Sequence, residues 1–511
     1  MTDWTAGYVA NIDYTYGYYQ ELNPLRTQLA FLNQGLVYPK VSNACELGYG
    51  QGLNINLHAA ASSTKWYGTD FNPAQASFAQ ELGNVSGAPV SLYADSFLEF
   101  CRRDSLPDFD FICLHGIWSW ISDENRHVIV DFISKKLNVG GVLYISYNTM
   151  PGWAAFAPLR HLMTQHSEII GSKGSGIVNR IDGAIDFAKK LLKTDPAYSR
   201  ANPLVGKRFE HLSNQNRHYL AHEYFNRDWQ PMHFASTADW LESAKVSYAC
   251  SAHYLDDFDS INVSSDQQEY LNGIPDKMLR ESTKDFMTNQ VFRRDYWVKG
   301  LRKLSKIEQL EALKNIKVVS VKARSELGLK LQDGSLEINL NKDIYNPILD
   351  SLYGREYISL GELEAELESN NINLGQIVQA VMVLSDCGHI SAVCEQESIG
   401  ATKKRVDALN AHILRKSRSS ADILYLASPV TGGGVNLNRF SQLFLSAYRS
   451  GCKNSEGLAG HVWKILLEQN ERLVGDGKAL ETESENIEEL LKRASKFLDE
   501  TLPVLKSLQI V

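Results

Sequence analysis

The 511-residue sequence predicts an α/β fold with a mostly parallel sheet, and three observations carry that reading. Short apolar runs alternate with helix-period segments from about residue 40 to residue 147, the rhythm of βαβ units. A glycine-rich stretch, Cys45-Glu-Leu-Gly-Tyr-Gly-Gln-Gly-Leu-Asn54, falls where the first run should turn into the first helix. A glycine pair, Gly140-Gly141, precedes the last strongly apolar run of the series.

Taken in order, the expected strands are Asn43 to Leu47, Lys65 to Thr69, Val90 to Tyr93, Phe109 to Leu114 and Val142 to Ser146. Their spacing matches one strand plus its crossover helix. Ahead of them, residues 1 to 20 hold Trp4, Tyr8, Tyr14, Tyr16, Tyr18 and Tyr19, far denser than the 10% aromatic content of the chain. After Pro151 the rhythm stops, and residues 152 to 230 read as a helical, His-containing insertion. A helix at Ser236 to Ala244 and a strand at Lys245 to His253 resume the sheet, so residues 1–151 and 231–265 form the expected first domain.

Residues 266–340 read as a basic linker: the stretch 273 to 326 alone holds 13 Lys or Arg, taken as a solvated helix face rather than a polyanion site. Residues 341–400 suggest a winged-helix-like module, with a capping box at Ser359-Leu-Gly-Glu362 and Ile377, Val378, Val381 and Leu384 on one helix face. Its third helix, Leu374 to Ser385, lacks Lys and Arg, which favours a structural or protein-contact role over reading DNA. Residues 401–511 read as a helical C-terminal domain in which Thr431-Gly-Gly-Gly434 is a flexible turn.

Composition sets outer bounds. With 44% hydrophobic and 22% charged residues, the chain is neither disordered nor collagen-like nor a disulfide scaffold. A net charge of -8 argues against nucleic acid as the main partner, since that affinity rests on Lys and Arg neutralising phosphates. Seven scattered cysteines without a C-x-x-C pair suit a reducing cytoplasm. No run approaches the length of a membrane span, and the N-terminus lacks the pattern of a secretory signal. His218 and His222 stand four apart, a zinc-site spacing, but without a third ligand at a set distance they read as a hydrogen-bonded packing face, and no metal is expected.

The chemistry concentrates at Glu46-x-Gly48-x-Gly50-x-Gly52. Glycines at a strand-to-helix turn let backbone approach a ligand, and the helix start offers free N–H donors. A dinucleotide fingerprint would need glycine at position 53, where Leu53 stands. The pattern resembles motif I of the S-adenosylmethionine-dependent methyltransferases of Rossmann-like fold. Asp70 ends the second strand, 20 residues after Gly50, where a carboxylate can accept both ribose hydroxyl protons, and Asp95 ends the third.

The stretches Tyr14 to Pro24, His115-Gly-Ile-Trp-Ser-Trp120, Tyr147 to Trp153, His218 to Asn226 and Phe292-Arg-Arg-Asp295 resemble a bacterial methyltransferase family that carries a methyltransferase regulatory domain and includes rickettsial-type protein lysine methyltransferases. That resemblance implies S-adenosylmethionine as cofactor, held by Glu46, Gly48, Gly50 and Gly52 at its methionine end, Asp70 at the ribose, Asp95 at the adenine and Tyr14 and Tyr18 over the sulfonium. His115, Tyr16 and Tyr147 are then the candidate groups around the transferring methyl, with His115 equally readable as a helix-start residue facing the core. Tyr16, Trp118, Trp120, Tyr147 and Trp153 could line a channel for an amine, although core packing is the plainer reading for any one of them.

The expected activity is N-methylation of lysine side chains in a protein substrate by direct in-line transfer. Methylation of a small molecule or RNA, and a cofactor-binding adaptor without activity, stand as alternatives. The fold class expected is therefore a Rossmann-like methyltransferase sheet with a helical insertion and mostly helical C-terminal domains. Protein is the expected partner, with no membrane insertion and a homodimer left open.

Overall fold

The computed structural model describes residues 15–333, 336–475 and 478–511. Its centre is a seven-stranded sheet: β1 (Asn43–Leu47), β2 (Lys65–Thr69), β3 (Val90–Tyr93), β4 (Phe109–Leu114), β5 (Leu137–Asn148), β6 (Val246–Ser251) and β7 (Phe292–Lys299). The spatial order is β3-β2-β1-β4-β5-β7-β6. The first five strands run parallel, with Cys45 of β1 facing Tyr67 on one side and Ile112 on the other. β7 enters antiparallel between β5 and β6. Continuous apolar runs such as Phe111 to Leu114 form these strands because helices cover both faces of a parallel sheet.

The strand order reverses at β1, which pairs with β2 on one side and β4 on the other. Loops leaving β1 and β4 therefore diverge, and the crevice between them lies at the carboxyl ends of the strands. The loop after β1 ends at Gly52, which takes a left-handed conformation (φ 69°) and starts the helix Leu53–Ala61. A Cβ there would come 2.3 Å from that of Ala79, so glycine also lets this helix pack against Pro73–Ser86. That second helix starts at Asn72, whose side chain accepts from the Ala74 N–H, with Pro73 in its first turn.

Residues between β5 and β6 form the expected helical insertion, with helices Ala157–Ile169, Gly176–Lys193, Leu204–Ser213 and Arg217–Tyr224 burying a core of their own around Trp153, Phe156, Ile181 and Leu220. In the expected helix pair, His222 is buried whereas His218 is exposed.

The basic stretch differs from its expected role as a solvated linker. It supplies β7, so the sheet extends beyond residue 265. Arg293 is 6% exposed and bonds Asp285, Glu281 and Asp295, while Arg294 pairs with the buried Glu21. These two arginines are engaged inside the fold, whereas Arg302, Lys303, Lys306 and Lys317 of the same stretch are exposed as expected. The sequence counted these cations without showing the acids that meet them.

Beyond the sheet, the capping box at Ser359 and the helix Leu374–Asp386 form where expected. The strand Ile390–Ala392 pairs with Lys317–Ser320, which also pairs with Ile358–Ser359, so this small three-stranded sheet begins before residue 341. The C-terminal helix Gln396–Lys416 lies against Leu53–Ala61 and Pro73–Ser86, and Leu53, Leu57 and Leu82 share one core with Val406, Leu409 and Ile413. The segment expected as a flexible turn, Thr431 to Gly434, is instead part of a buried hairpin (Tyr425–Ser428 with Gly433–Asn436). Among the described residues no helix is long and apolar enough to cross a membrane.

Candidate cofactor cleft

At the carboxyl ends of β1 to β4 lies a cleft of about 170 Å³ lined by Gly48, Gly50, Asp70, Asp95 and His115, five of the residues expected there. Gly48 and Gly50 have φ of 73° and 57°, the left-handed region that glycine enters without penalty. The Gly48 N–H donates to the Thr69 carbonyl (2.8 Å), which ties the loop to the end of β2. A side chain at Gly48 would meet Ile117, its Cβ only 2.4 Å from Cδ1. Gly48→Ala combines that crowding with left-handed strain of about 1–2 kcal/mol. Its expected result is weaker binding, on the order of tenfold, of S-adenosylhomocysteine (AdoHcy), the demethylated form of the expected cofactor, read by calorimetry.

Asp70 is held at both oxygens: the Gly50 N–H donates to Oδ2 (2.9 Å) and the Asn72 N–H to Oδ1 (3.0 Å). Each oxygen keeps a free lone-pair direction, which is what two adjacent ribose hydroxyls require. Burial pushes its pKa up to about 6, only partly countered by those two backbone donors. Because the folded-state pKa is raised, ionising Asp70 costs the free protein stability that is fully present below pH 4 and lost as pH rises through 6. Hydroxyl donors need the ionised form, so AdoHcy affinity should fall as pH drops below about 6 and stay flat from 7 to 8. Equal affinities at pH 5 and pH 8 would rule out the expected ribose role of Asp70.

Asp95 reaches the cleft with its carboxylate paired to Arg103, whose guanidinium also covers the Tyr93 ring. Phe71, Phe97 and Ile117 add apolar lining suited to a purine.

His115, at the end of β4, sits with Nδ1 2.7 Å from the Tyr144 hydroxyl and its ring stacked on Tyr19, centroids 3.7 Å apart. Burial pulls its pKa down to about 4, opposed by Glu21, so the imidazole is neutral at pH 7. Tyr19 is the tyrosine that sequence reasoning missed; it also borders a second cavity of about 450 Å³ toward Glu21, Arg26 and Asp386.

Other expected residues stand elsewhere. Glu46 is 3% exposed and accepts from the Asn54 amide (3.1 Å), with burial raising its pKa to about 8; it shapes the loop from beneath rather than lining the cleft. Gly52 serves helix packing, as described. Tyr18 packs on His58, Tyr425 and the glycine hairpin, where a Cβ on Gly433 would come 2.3 Å from its hydroxyl. Tyr14 lies outside the described residues. Tyr16 packs edge-on against Phe78 (5.2 Å). Tyr147 is fully buried and donates to Asp295 (2.8 Å), away from the cleft. Trp118 and Trp153 lie in two separate cores, while Trp120 lines the cleft. Asp228, far along the chain, reaches the cleft with no local signal to announce it.

A family described as "Predicted methyltransferase regulatory domain" matches residues 216–299, the segment that supplies β6 and β7. An uncharacterized protein of Synechocystis sp. is 38% identical over 99% of both chains. The chain belongs to one family with that Synechocystis protein, and it carries the regulatory-domain segment. An uncharacterized protein of Rickettsia prowazekii is 33% identical over 37% of this chain and 76% of its own length. The fold of this chain is also that of PKMT2 from Rickettsia typhi, solved in complex with AdoHcy, with a TM-score of 0.68 at 17% identity over 94% of this chain and 98% of that one. The regulatory region is thus no appendage, since without its two strands the sheet would end at β5.

Proposed function

We propose that the methyltransferase holds S-adenosylmethionine in the β1–β4 cleft and methylates lysine side chains of a protein. The likeness of nearly the whole chain to PKMT2, solved with AdoHcy, supports the reading. The observation that carries it is the cleft at the carboxyl ends of β1 to β4, where burial lowers the pKa of His115 and its ring stacks on Tyr19. An amine attacks only after losing a proton, and surroundings that hold an imidazole neutral also lower an amine pKa. The sulfonium cofactor supplies an already activated methyl group, so the protein's task is alignment, worth roughly 7–11 kcal/mol.

Gly48 and Gly50 would admit the methionine end, Asp70 the ribose and Asp95 with Phe97 the adenine. Two cations of the basic stretch, Arg293 and Arg294, are engaged inside the fold and are not open to RNA. The test is transfer of a radiolabelled methyl group from S-adenosylmethionine into a bacterial lysate, followed by separation into protein, nucleic acid and small molecules. Label in methyl-lysine after protein hydrolysis is expected. Label confined to the other fractions would overturn the reading.

A further inference from the structure

The second cavity, of about 450 Å³, shares no lining residue with the cofactor cleft, yet one aromatic pair joins them. Tyr19 lines the cavity and stacks on His115, which lines the cleft. Four parts of the chain build the wall: the N-terminal segment with Glu21 and Arg26, Arg294 of β7, the strand Ile390–Ala392 and the hairpin strand Gly433–Asn436. The volume falls within the roughly 300–1,000 Å³ of ligand sites.

Two parts of that wall are strand edges. Ile390–Ala392 is the outer strand of its three-stranded sheet and pairs with Lys317–Ser320 through its odd-numbered residues. The Val321 N–H donates to the His389 carbonyl (2.9 Å) and the Val393 N–H to that of Lys317 (3.0 Å). In an antiparallel pair the intervening residues turn their N–H and C=O groups the other way, so Ile390 and Ala392 direct theirs outward. Cys394, next in that series, shows where outward leads: its N–H donates to the Val430 carbonyl beside the hairpin (2.8 Å). On the hairpin the Leu437 N–H donates to the Leu424 carbonyl (2.7 Å), and the same alternation turns Gly434 and Asn436 outward. Tyr18 takes up the Gly434 backbone, whereas Asn436 is exposed. No acceptor among the described residues meets the N–H of Ile390, Ala392 or Asn436. Unpaired edges of this kind are templates for one more strand.

Charge narrows what fits between them. Glu21 pairs with Arg294 and Arg26 with Asp386, which leaves Lys322 as the one charged residue of the wall without an ion pair among the described residues. Lys322 also lines an adjoining pocket of about 100 Å³ with Val321, Val435 and Asn436, and so stands where the two spaces meet.

We propose that this cavity takes an extended segment of the protein substrate, bonded through its backbone to the edges at Ile390–Ala392 and Asn436, with an acidic side chain beside the target lysine paired to Lys322. Side chains of an extended segment alternate between faces, so one row can turn toward Tyr19 and the cofactor cleft while the other meets the wall. The inference rests on the reading of the chain as a protein lysine methyltransferase.

The full-length chain tests it with radiolabelled S-adenosylmethionine and three pools of blocked heptapeptides. Each pool has a central lysine, one Glu, Gln or Arg at any other position, and mixed uncharged residues elsewhere. Wild type should label the Glu pool about fivefold faster than the Gln pool, the upper end for a partly exposed ion pair, and the Arg pool slowest. Lys322→Glu should reverse the order of the Glu and Arg pools. N-methylation of the peptide backbone removes its donors and should slow labelling about tenfold or more. Ala392→Pro, which deletes one outward N–H and spares the pairing with Lys317–Ser320, should slow all three pools alike. The AdoHcy-induced rise in melting temperature should survive in both variants, which shows that fold and cofactor cleft are intact. If the proline variant does not fold, Lys322→Glu and the N-methylated pool carry the test. Equal labelling of the three pools, an unchanged order in Lys322→Glu, or an N-methylated pool accepted as well as its parent overturns the proposal. A wild type that labels lysate protein but none of the pools also overturns it and leaves the lysine reading intact. A wild type that labels no lysate protein overturns that reading instead.

Discussion

Replacing Arg293 with alanine should destabilise the protein by about 3–5 kcal/mol, the range for breaking a buried ion pair by removing one partner. The residue is the centre of a network: Nε bonds both oxygens of Asp295 (3.1 Å), Nη1 reaches Asp285 (2.6 Å) and Nη2 reaches Glu281 (3.0 Å) and the Tyr248 hydroxyl (3.2 Å). Its guanidinium also lies over the Phe234 ring. These partners tie β7 to the helix Lys277–Thr288 and, through the Tyr147 hydroxyl on Asp295, to β5. Without the arginine, two carboxylates that are 4% and 1% exposed are left without their counter-ion.

The pH dependence of the loss follows from sign. Burial already raises the Asp285 pKa to about 6 against the pull of Arg293, and raises that of Asp295. Removing Arg293 raises both further, so the variant's missing stability is present at low pH and lost as pH rises through those folded-state values. Urea denaturation should show a gap from wild type that is wide at pH 8 and narrower at pH 5. A gap that does not change with pH would mean that lost packing, not stranded charge, is the cause.

The same network marks where sequence reasoning reached its limit. The five parallel strands were legible because each is an apolar run of the right length between turn signals, and β1 to β4 form at the expected residues. β7 was not, since Phe-Arg-Arg-Asp-Tyr-Trp-Val-Lys carries four charges in eight residues and its partners lie elsewhere in the chain, at Glu21, Glu281 and Asp285. At the cleft, Gly48, Gly50, Asp70, Asp95 and His115 could be placed because a parallel sheet delivers its strand ends to one edge.

Tyr18 and Tyr19 show the other side of the matter. Adjacent side chains of an extended segment point to opposite faces. Tyr18 goes to the glycine hairpin of the C-terminal region and Tyr19 to His115, and composition alone could not say which would take which side. Asp228 reaches the cleft only through the packing of the insertion on the sheet, which no local pattern encodes.

Asp70→Ala should weaken AdoHcy binding by more than about 10²-fold and abolish the ligand-induced rise in melting temperature. Hydrogen bonds to a charged group contribute about 1.5–3 kcal/mol each, and two ribose hydroxyls place two of them on one carboxylate. At roughly 1.4 kcal/mol per factor of ten, even the lower value for both bonds comes to about 10²-fold. Alanine removes a second contribution, because the Gly50 and Asn72 N–H groups lose their acceptor and the glycine loop loses the contact that fixes its shape. Asp70→Asn separates the two: its amide oxygen still accepts from one backbone donor but carries no charge, so binding should recover in part and lose its dependence on pH between 5 and 7. Free protein should lose little, since the alanine variant no longer has to bury a charge whose pKa is raised to about 6. An Asp70→Ala protein that melts as wild type does and still gains the full AdoHcy shift would show that the cofactor lies elsewhere than in this cleft.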